Sequence, residues 1–278
     1  MNTKSLALMA TKARLLILEG VHAAASGHPG GSLSCVDALT TLYFDEMNID
    51  PADPHKEDRD RFVLSKGHCA PALYSVLALR GYFPTENIRL LRSIKAHISG
   101  HPDMVNVPGV DMSTGSLGQG ISAAVGMAIA ARVKGQSWRT YAICGDGEME
   151  EGQVWEAAMA AAKWKLSNLC LFVDVNGLQI DGPTAEVMPS APLDKKFAAF
   201  NWNVICIDGH DYDQIKDALA QAKKCQDAPT VILMKTTKGK GVSYMENQVG
   251  WHGKAPNDEQ YEIGKAELEK KYAELEGR

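Results

Sequence analysis

The sequence predicts an α/β fold, namely a doubly wound parallel sheet with helices on both faces. Four segments, at 140–144, 169–175, 203–208 and 230–237, are nearly continuous apolar runs, as expected of strands that are covered on both sides. Helix-like segments alternate with these runs, which implies parallel pairing through right-handed crossovers. The 278 residues suffice for one large domain, and we predict a single domain over 1–278.

Helices are expected before, between and after these strands. Gly27 and Pro29 stop the first helix, and the Ala-rich segment before Lys134 suits a tightly packed one. A charged helical tail is expected from about residue 257. The other helices are predicted at 4–26, 34–48, 68–80, 115–134, 153–166 and 213–225.

Composition argues against several classes of protein. The net charge of −5 disfavours a broad nucleic-acid-binding surface, because such surfaces are usually basic. No apolar run approaches the ~18 residues that a membrane span needs. Lys12 and Arg14 interrupt the first apolar segment, which therefore resembles an amphipathic helix rather than a signal peptide. Six thinly spread cysteines without a C-x-x-C motif indicate the reducing cytoplasm.

Polar residues follow two consecutive strands of the predicted sheet. Asp146 lies in a G-D-G turn after the first of them, and Asn176 and Leu178 follow the next. Ligands bind at the carboxyl ends of parallel strands, where a carboxylate, an amide oxygen and a backbone carbonyl form a set that suits Mg²⁺. The flanking glycines allow a phosphate to approach the backbone, and a helix N-terminus near Glu151 faces the same place.

A dinucleotide site is the main alternative, because a glycine-rich turn with Asp174 after the second strand loosely resembles one. However, G-D-G-E-M-E-E-G (145–152) departs from G-x-G-x-x-G and places four carboxylates where a pyrophosphate would lie. Only a bound cation would make that arrangement favourable. A purely structural interpretation takes Asp146 as a helix cap and Asn176 as a turn residue.

Four histidines lie in glycine-containing loop motifs, and we predict that His28, His68, His101 and His252 line one polar pocket that handles hydroxyls or phosphates. A zinc site is the alternative, although the spacings match neither H-E-x-x-H nor a Cys/His pairing. The other histidines are interpreted as structural, exposed or turn residues: His22, His55, His97 and His210.

Six motifs occur along the chain in the order S-G-H-P-G-G (26–31), S-K-G-H (65–68), G-H-P-D (100–103), T-G-S-L-G-Q-G (114–120), G-D-G-E-M-E-E-G (145–152) and D-V-N-G-L-Q-I-D-G (174–182). Together they resemble the motifs of the transketolases, from about residue 11 to residue 252. The G-D-G…N pair is the general thiamine diphosphate fingerprint, whereas the histidine blocks are more specific to transketolases. The resemblance implies the thiamine diphosphate-binding fold.

The resemblance also implies the ligands of each group. Asp146, Asn176 and the carbonyl of Leu178 would hold Mg²⁺, or Ca²⁺ or Mn²⁺ in its place, and the metal would bind the diphosphate of thiamine diphosphate. His68 would reach the diphosphate itself. Cofactor contacts are implied for His68, Gly115, Ser116, Leu117, Gly147, Asn176 and His252.

The reaction implied is the transfer of a two-carbon ketol unit from a ketose phosphate to an aldose phosphate, in which the cofactor acts as the electron sink. His28 and His252 would handle the proton of the donor hydroxyl, which suits side chains with a pKa near 7. His101 would hydrogen-bond the two-carbon fragment. Glu151 and Glu156 match acidic positions at the contact between paired cofactor sites.

A full transketolase is more than twice as long, and its remainder carries the pyrimidine-binding domain, the activating glutamate and the phosphate-binding basic residues. We therefore expect the N-terminal subunit of a split transketolase, a cytoplasmic enzyme of pentose phosphate metabolism. Two copies would assemble with two copies of a separate C-terminal subunit. The alternatives are a subunit like 1-deoxy-xylulose-5-phosphate synthase or another thiamine diphosphate enzyme, a degenerate domain that binds only a partner, and a dinucleotide-binding oxidoreductase.

Overall fold

The computed structural model describes residues 1–94, 96 and 98–277. Their helices are α1 (Thr3–Ala23), α2 (Pro29–Thr41, extended by a π-helical turn at Leu42–Glu46), α3 (Ala70–Arg80), α4 (Gln119–Val133), α5 (Gly152–Lys163), α6 (Thr184–Val187), α7 (Leu193–Ala199), α8 (Tyr212–Lys224) and α9 (Asp258–Glu276). Short 3₁₀ helices cover Gly67–Cys69, Thr85–Leu90, Gly147–Glu150 and Val249–Trp251. The strands are β1 (Arg61–Leu64), β2 (Thr140–Gly145), β3 (Leu169–Val175), β4 (Leu178–Gln179), β5 (Gly182–Pro183), β6 (Asn203–Asp208) and β7 (Thr230–Lys235).

The main sheet is parallel throughout, with the strand order β1-β2-β3-β7-β6. Strands β4 and β5 form a separate antiparallel pair directly after β3. In the register of β2 and β3, Gly145 is the partner of Asp174. The loops that follow these two central strands therefore start side by side at one edge of the sheet.

Side chains of the sheet alternate between two apolar cores. Tyr141, Ile143 and Phe172 pack into the core formed with α1, α2, α3 and α8. Ala142 and Leu171 pack into the other core, with α4, α5 and α7. Helices therefore cover both faces of a parallel sheet, and the predicted fold class is confirmed.

Strand β1 is missing from the sequence-based assignment. It has four residues and begins with Arg61, so its apolar run is too short to be distinguished from a loop. Its pairing with β2, from Arg61 and Thr140 to Leu64 and Ile143, makes it an edge strand of the sheet. The predicted sheet is correct for its other four strands.

Two predicted helix starts are displaced. α2 begins at Pro29 rather than at residue 34, because proline suits the first turn of a helix, where no N–H is needed. α4 begins at Gln119 rather than at residue 115, since Gly115 and Gly118 have φ of +147° and +80°, outside the helical region. The residues between 115 and 118 form a loop at the strand ends instead.

The last helix, α9, runs from Asp258 to Glu276. Asn257 caps it and forms a reciprocal capping box with Gln260. The helix packs along α1, with Leu268 buried and Gly264 against Leu18. In the described part of the chain, no helix combines the length and apolarity needed to cross a membrane.

Candidate cofactor and substrate site

Asp146 joins the loops that follow β2 and β3. One carboxylate oxygen accepts from Gly147 N–H at 2.9 Å, and the other accepts from Gly177 N–H at 2.6 Å. The side-chain oxygen of Asn176 accepts from Leu178 N–H at 3.1 Å. These contacts bring the three expected metal-binding residues to one cavity of about 190 Å³.

The oxygen atoms at this place are suitable ligands for a hard cation. They are a carboxylate, an amide oxygen and a carbonyl, each with lone-pair capacity left beside the bonds described. Gln179 Oε1, in the lining of the same cavity, is buried without a hydrogen-bond donor among the described residues. Burial, and then the nearby Asp174 carboxylate, raises the pKa of Asp146 to about 6. A bound cation would favour its ionised form.

The zinc alternative finds no support in the described residues, where no group of three or more His, Cys, Asp or Glu side chains could hold a metal. The dinucleotide alternative is disfavoured by the position of Asp174, which is fully buried. Its carboxylate accepts from Ser34 at 2.5 Å and also binds Thr236 and Lys66. It is therefore not exposed to a ribose.

Glu148 of the acidic turn lines the cavity, but its carboxylate is bound by groups inside the protein. Its carboxylate accepts from the Ser65 hydroxyl at 2.5 Å, from Gly118 N–H at 2.9 Å and from Gly145 N–H at 3.0 Å. Burial raises the pKa of this carboxyl. The side chain joins the ends of β1 and β2 to the loop before α4, and so fixes that loop beside Asp146.

The loop at 115–118 contributes unequally to the site. Leu117 lines the cavity and is partly exposed. Gly115 lies against the ring of His101, where an added Cβ would meet the imidazole at 3.0 Å. Gly115 and Ser116 are not part of the cavity lining, so their predicted cofactor contacts stay predictions.

The four loop histidines converge, as the sequence predicts. The ring centre of His28 lies 5.4 Å from that of His68, 6.1 Å from that of His101 and 5.8 Å from that of His252. His68 and His252 stack at 5.0 Å. His28 Nδ1 is buried without a partner in the described part of the chain.

Three of these four rings have pKa values below the usual 6.5. Burial, and then the nearby His68, lowers the pKa of His28 to about 4. Burial and the Lys238 ammonium lower the pKa of His252 to about 3, and burial and Arg92 lower the pKa of His101. The pKa values of His28 and His252 therefore lie below the value near 7 that is expected from the sequence. A neutral imidazole still accepts a hydrogen bond at one nitrogen and donates one N–H at the other.

Two buried lysines were missed by the sequence analysis. Lys238 Nζ donates to the Leu178 carbonyl at 3.2 Å and to His252 Nδ1 at 2.9 Å. Burial, and then the charge of Lys66, lowers the pKa of Lys238 to about 8. Lys66 pairs with Asp174 and donates to the Gly31 carbonyl at 3.1 Å. Both line the cavity and add positive charge to it.

Several of the other predicted positions lie at the surface. Glu151 and Glu156 are exposed at the N-terminal end of α5. His22 stacks on the Tyr261 ring at 4.2 Å, which fits a structural role, and His55 is exposed. His97 lies outside the described residues.

A parallel sheet with an oxygen-rich cavity at its carboxyl ends is typical of α/β domains that bind phosphorylated ligands. Residues 5–273 match the transketolase family, specifically its thiamine diphosphate binding domain. The chain belongs to this family.

The relatives include both separate subunits and full-length enzymes. The chain is 48% identical over 260 residues to the 6-deoxy-6-sulfo-D-fructose transketolase subunit of a Clostridium species, covering 94% of each. It is 42% identical over 276 residues to one of the subunits of the apulose-4-phosphate transketolase of Phocaeicola vulgatus, covering 99% of this chain and 98% of the relative. The crystal structure of Campylobacter jejuni transketolase superposes with a TM-score of 0.91 at 34% identity, covering 97% of this chain and 43% of that one.

These comparisons confirm the predicted family and the predicted class of enzyme, a transketolase-type transferase. The first two relatives are named as subunits and match this chain over nearly their full length. By contrast, the chain spans 39% of rat transketolase. The roles of the individual site residues stay predictions.

Proposed function

We propose that this chain is the diphosphate-binding subunit of a split transketolase, which transfers a two-carbon ketol unit from a ketose to an aldose together with a separate subunit. The observation that carries the proposal is the meeting of two sets of groups at one cavity. The oxygen set around Asp146 and Asn176 shares its cavity lining with His68 and His252. The rings of His28 and His101 lie next to these two histidines. The first set suits a metal diphosphate, and the second suits a polyhydroxylated substrate.

The donor set supports Mg²⁺ as the resident metal, held by Asp146, Asn176 and the Leu178 carbonyl; Ca²⁺ and Mn²⁺ could use the same oxygen ligands. Phosphate oxygens would be bound by the Lys238 ammonium, by His68 and by the backbone at Gly147. The chemistry that thiamine diphosphate supplies when bound is that of a nucleophilic carbon that also acts as an electron sink.

The protein's own contribution is proton transfer and orientation. His28, whose buried Nδ1 lacks a partner among the described residues, is the proposed base for the donor hydroxyl. His252 accepts from Lys238 at Nδ1, so its Nε2 carries the hydrogen and donates to a substrate oxygen. His101 is the proposed hydrogen-bond partner of the two-carbon fragment.

A separate C-terminal subunit is the proposed partner, in an assembly of two copies of each chain. Two observations support this proposal. Two relatives are named as subunits, and this chain covers only 43% of the Campylobacter jejuni transketolase. Exposed Glu151 and Glu156 are the proposed contact between paired sites. The cytoplasm is the proposed compartment, in keeping with six free cysteines.

Ketoses with an anionic group far from the ketol end are the proposed substrates. The two relatives are named for a sulfonated deoxyfructose and a phosphorylated apulose, which share that feature. Pentose phosphates belong to this class of substrate, so a role in pentose phosphate metabolism is part of the proposal.

The test is reconstitution. The purified chain is assayed with thiamine diphosphate, Mg²⁺, a ketose phosphate and an aldose phosphate, first alone and then with the polypeptide encoded by the neighbouring gene as candidate partner. Ketol transfer is expected only in the mixture. Robust transfer by the chain alone would refute the split arrangement, and the absence of Mg²⁺-dependent cofactor binding in the assembled complex would refute the function.

A further inference from the structure

Thr237 lies beyond the end of β7, where pairing with β6 has ended. The last backbone bond of this pair runs from Gly209 N–H to the Lys235 carbonyl at 2.9 Å. Successive N–H groups along a strand point to opposite neighbours, so that of Thr236 reaches Val175 of β3 and that of Thr237 faces the β6 side. Thr237 is partly buried, and its N–H needs an acceptor that the sheet no longer supplies.

His210 supplies it. Thr237 N–H donates to His210 Nε2 at 2.9 Å, and His210 Nδ1 lies 2.8 Å from an Asp37 carboxylate oxygen. Because Nε2 accepts, the ring hydrogen must lie on Nδ1 and be donated to Asp37. The imidazole therefore replaces a strand carbonyl and is itself held by a fixed charge.

Asp37 is anchored from a third side. Arg14 donates to its two oxygens at 2.9 and 2.6 Å, and Tyr212 donates to it at 2.5 Å. Although burial alone would raise it, Arg14 holds the pKa of Asp37 well below its usual range. A carboxylate that stays ionised keeps the ring of His210 in one tautomer and one orientation.

The next residue after Thr237 is Lys238, which enters the cofactor cavity. Its side chain is 2% exposed, and its stem packs over Gly30, where an added Cβ would meet Lys238 Cγ at 3.1 Å. The far end of this turn is held by Gly239 N–H, which donates to the Gly30 carbonyl at 2.9 Å. His210 holds the near end.

We infer that His210 is a positioning residue for Lys238: it fixes the backbone of Thr237, from which the Lys238 side chain enters the cavity. The inference rests on the proposed function in one respect: the proposed role of Lys238 is to bind the cofactor phosphates. The placement of Lys238 can be tested without any cofactor.

The first experiment measures how fast an amine-specific reagent labels Lys238 in the cofactor-free full chain, followed by mass spectrometry. His210→Asn keeps a donor to Asp37 but loses the acceptor for Thr237, whereas His210→Gln keeps that acceptor. We expect labelling of Lys238 to rise about 10-fold in His210→Asn, the scale of one lost hydrogen bond. It should return close to the wild-type rate in His210→Gln.

Two controls separate positioning from a general loosening. Tyr212→Phe removes another bond to Asp37 without touching Thr237, and it should leave Lys238 labelling unchanged. Lys66, buried in the same cavity but anchored by Asp174, is the internal reference. Equal increases at Lys66 and Lys238, an unchanged Lys238 in His210→Asn, or failure of His210→Gln to restore protection would each overturn the inference.

A second measurement needs no variant. In the ¹⁵N NMR spectrum of the wild-type chain, His210 should show a protonated Nδ1 and an unprotonated Nε2; the opposite tautomer would overturn the inference even if His210→Asn fails to fold.

A mutant cycle on thiamine diphosphate and Mg²⁺ affinity in the assembled complex then links position to binding. His210→Asn should weaken binding about 10-fold in the wild-type background and little or not at all with Lys238→Met. If the effects of His210→Asn and Lys238→Met on cofactor affinity are fully additive, His210 does not act through Lys238. If the wild-type complex binds no cofactor, the proposed function fails, while the labelling result still decides the role of His210.

Discussion

The ammonium of Lys238 lies 2.9 Å from Nδ1 of His252. This contact joins a positive charge for phosphate binding to an imidazole of the substrate pocket. Because a lysine ammonium can only donate, His252 must accept at Nδ1 and present Nε2–H to the pocket. The same charge contributes to the low pKa of His252, after burial, which has the larger effect.

Lys238→Met should therefore have two consequences. The affinity of the assembled complex for thiamine diphosphate should fall about 10-fold or more, since charge-assisted hydrogen bonds to phosphate are lost. The pKa of His252 in the cofactor-free chain should rise from about 3 toward its usual 6.5. Calorimetry and NMR titration measure the two effects.

Lys240→Met is the matched control, because Lys240 lies two residues further on and pairs with Glu246 at 3.7 Å on the surface. It should change neither quantity. A Lys238→Met variant with wild-type cofactor affinity would contradict the placement of phosphate at this lysine.

Asp146→Ala should abolish Mg²⁺-dependent binding of thiamine diphosphate, because one charged ligand and its cation are lost together. Cofactor titration of the assembled complex with and without Mg²⁺ measures this. Glu150→Gln removes a charge from the same cavity lining without removing a proposed ligand, and should leave the affinity nearly unchanged. Equal affinities of Asp146→Ala and wild type would remove Asp146 from the metal site.

The site residues at the strand ends could be predicted because each one directly follows a recognisable strand in the sequence. Asp146 and Asn176 directly follow β2 and β3, and adjacency in a parallel sheet brings such positions together. The histidines could be predicted from their repeated glycine contexts. Lys66 and Lys238 carry no comparable signal, since one follows β1 and the other follows β7, and only the sheet order brings their segments to one cavity.

Errors in the fold have a similar cause. α2 is buried along its whole length, so its sequence lacks the amphipathic period that marks a helix start. β1 is shorter than the periodic window needed to recognise a strand. By contrast, β3 and β7 are central strands with nearly continuous apolar runs, and their predicted positions agree with the structure.

His28→Ala and His101→Ala should leave cofactor affinity nearly intact but reduce ketol transfer by about 10²-fold or more, the usual scale for lost proton-transfer assistance. Steady-state assays of the reconstituted complex, together with cofactor titration, separate the two effects. His55→Ala, at an exposed position away from the pocket, is the control. Wild-type turnover in both pocket variants would make these histidines structural.

The low pKa of His28 predicts how stability depends on pH. The unfolded histidine takes up a proton near pH 6.5, whereas the folded one does so only near pH 4. Between these values the unfolded state binds more protons, so the free energy of unfolding should fall as the pH is lowered from 6.5 toward 4. Urea unfolding of the chain at several pH values measures it, and His28→Gln should make this fall smaller. An unchanged pH dependence in His28→Gln would show that His28 is not its source.

Glu148→Ala should destabilise the chain more than any substitution at the exposed end of the same acidic turn. It leaves three donors without their acceptor: Ser65 O–H and Gly118 N–H, which are buried, and Gly145 N–H, which is partly buried. A loss of about 3 kcal/mol in the free energy of unfolding is expected, measured by urea denaturation. Glu148→Gln should recover only part of it, because its amide must place a donor against a donor.

Glu150→Ala, exposed two residues away, should cost less than about 0.5 kcal/mol. Similar stabilities of Glu148→Ala and Glu150→Ala would show that the loop before α4 is held beside Asp146 by other contacts.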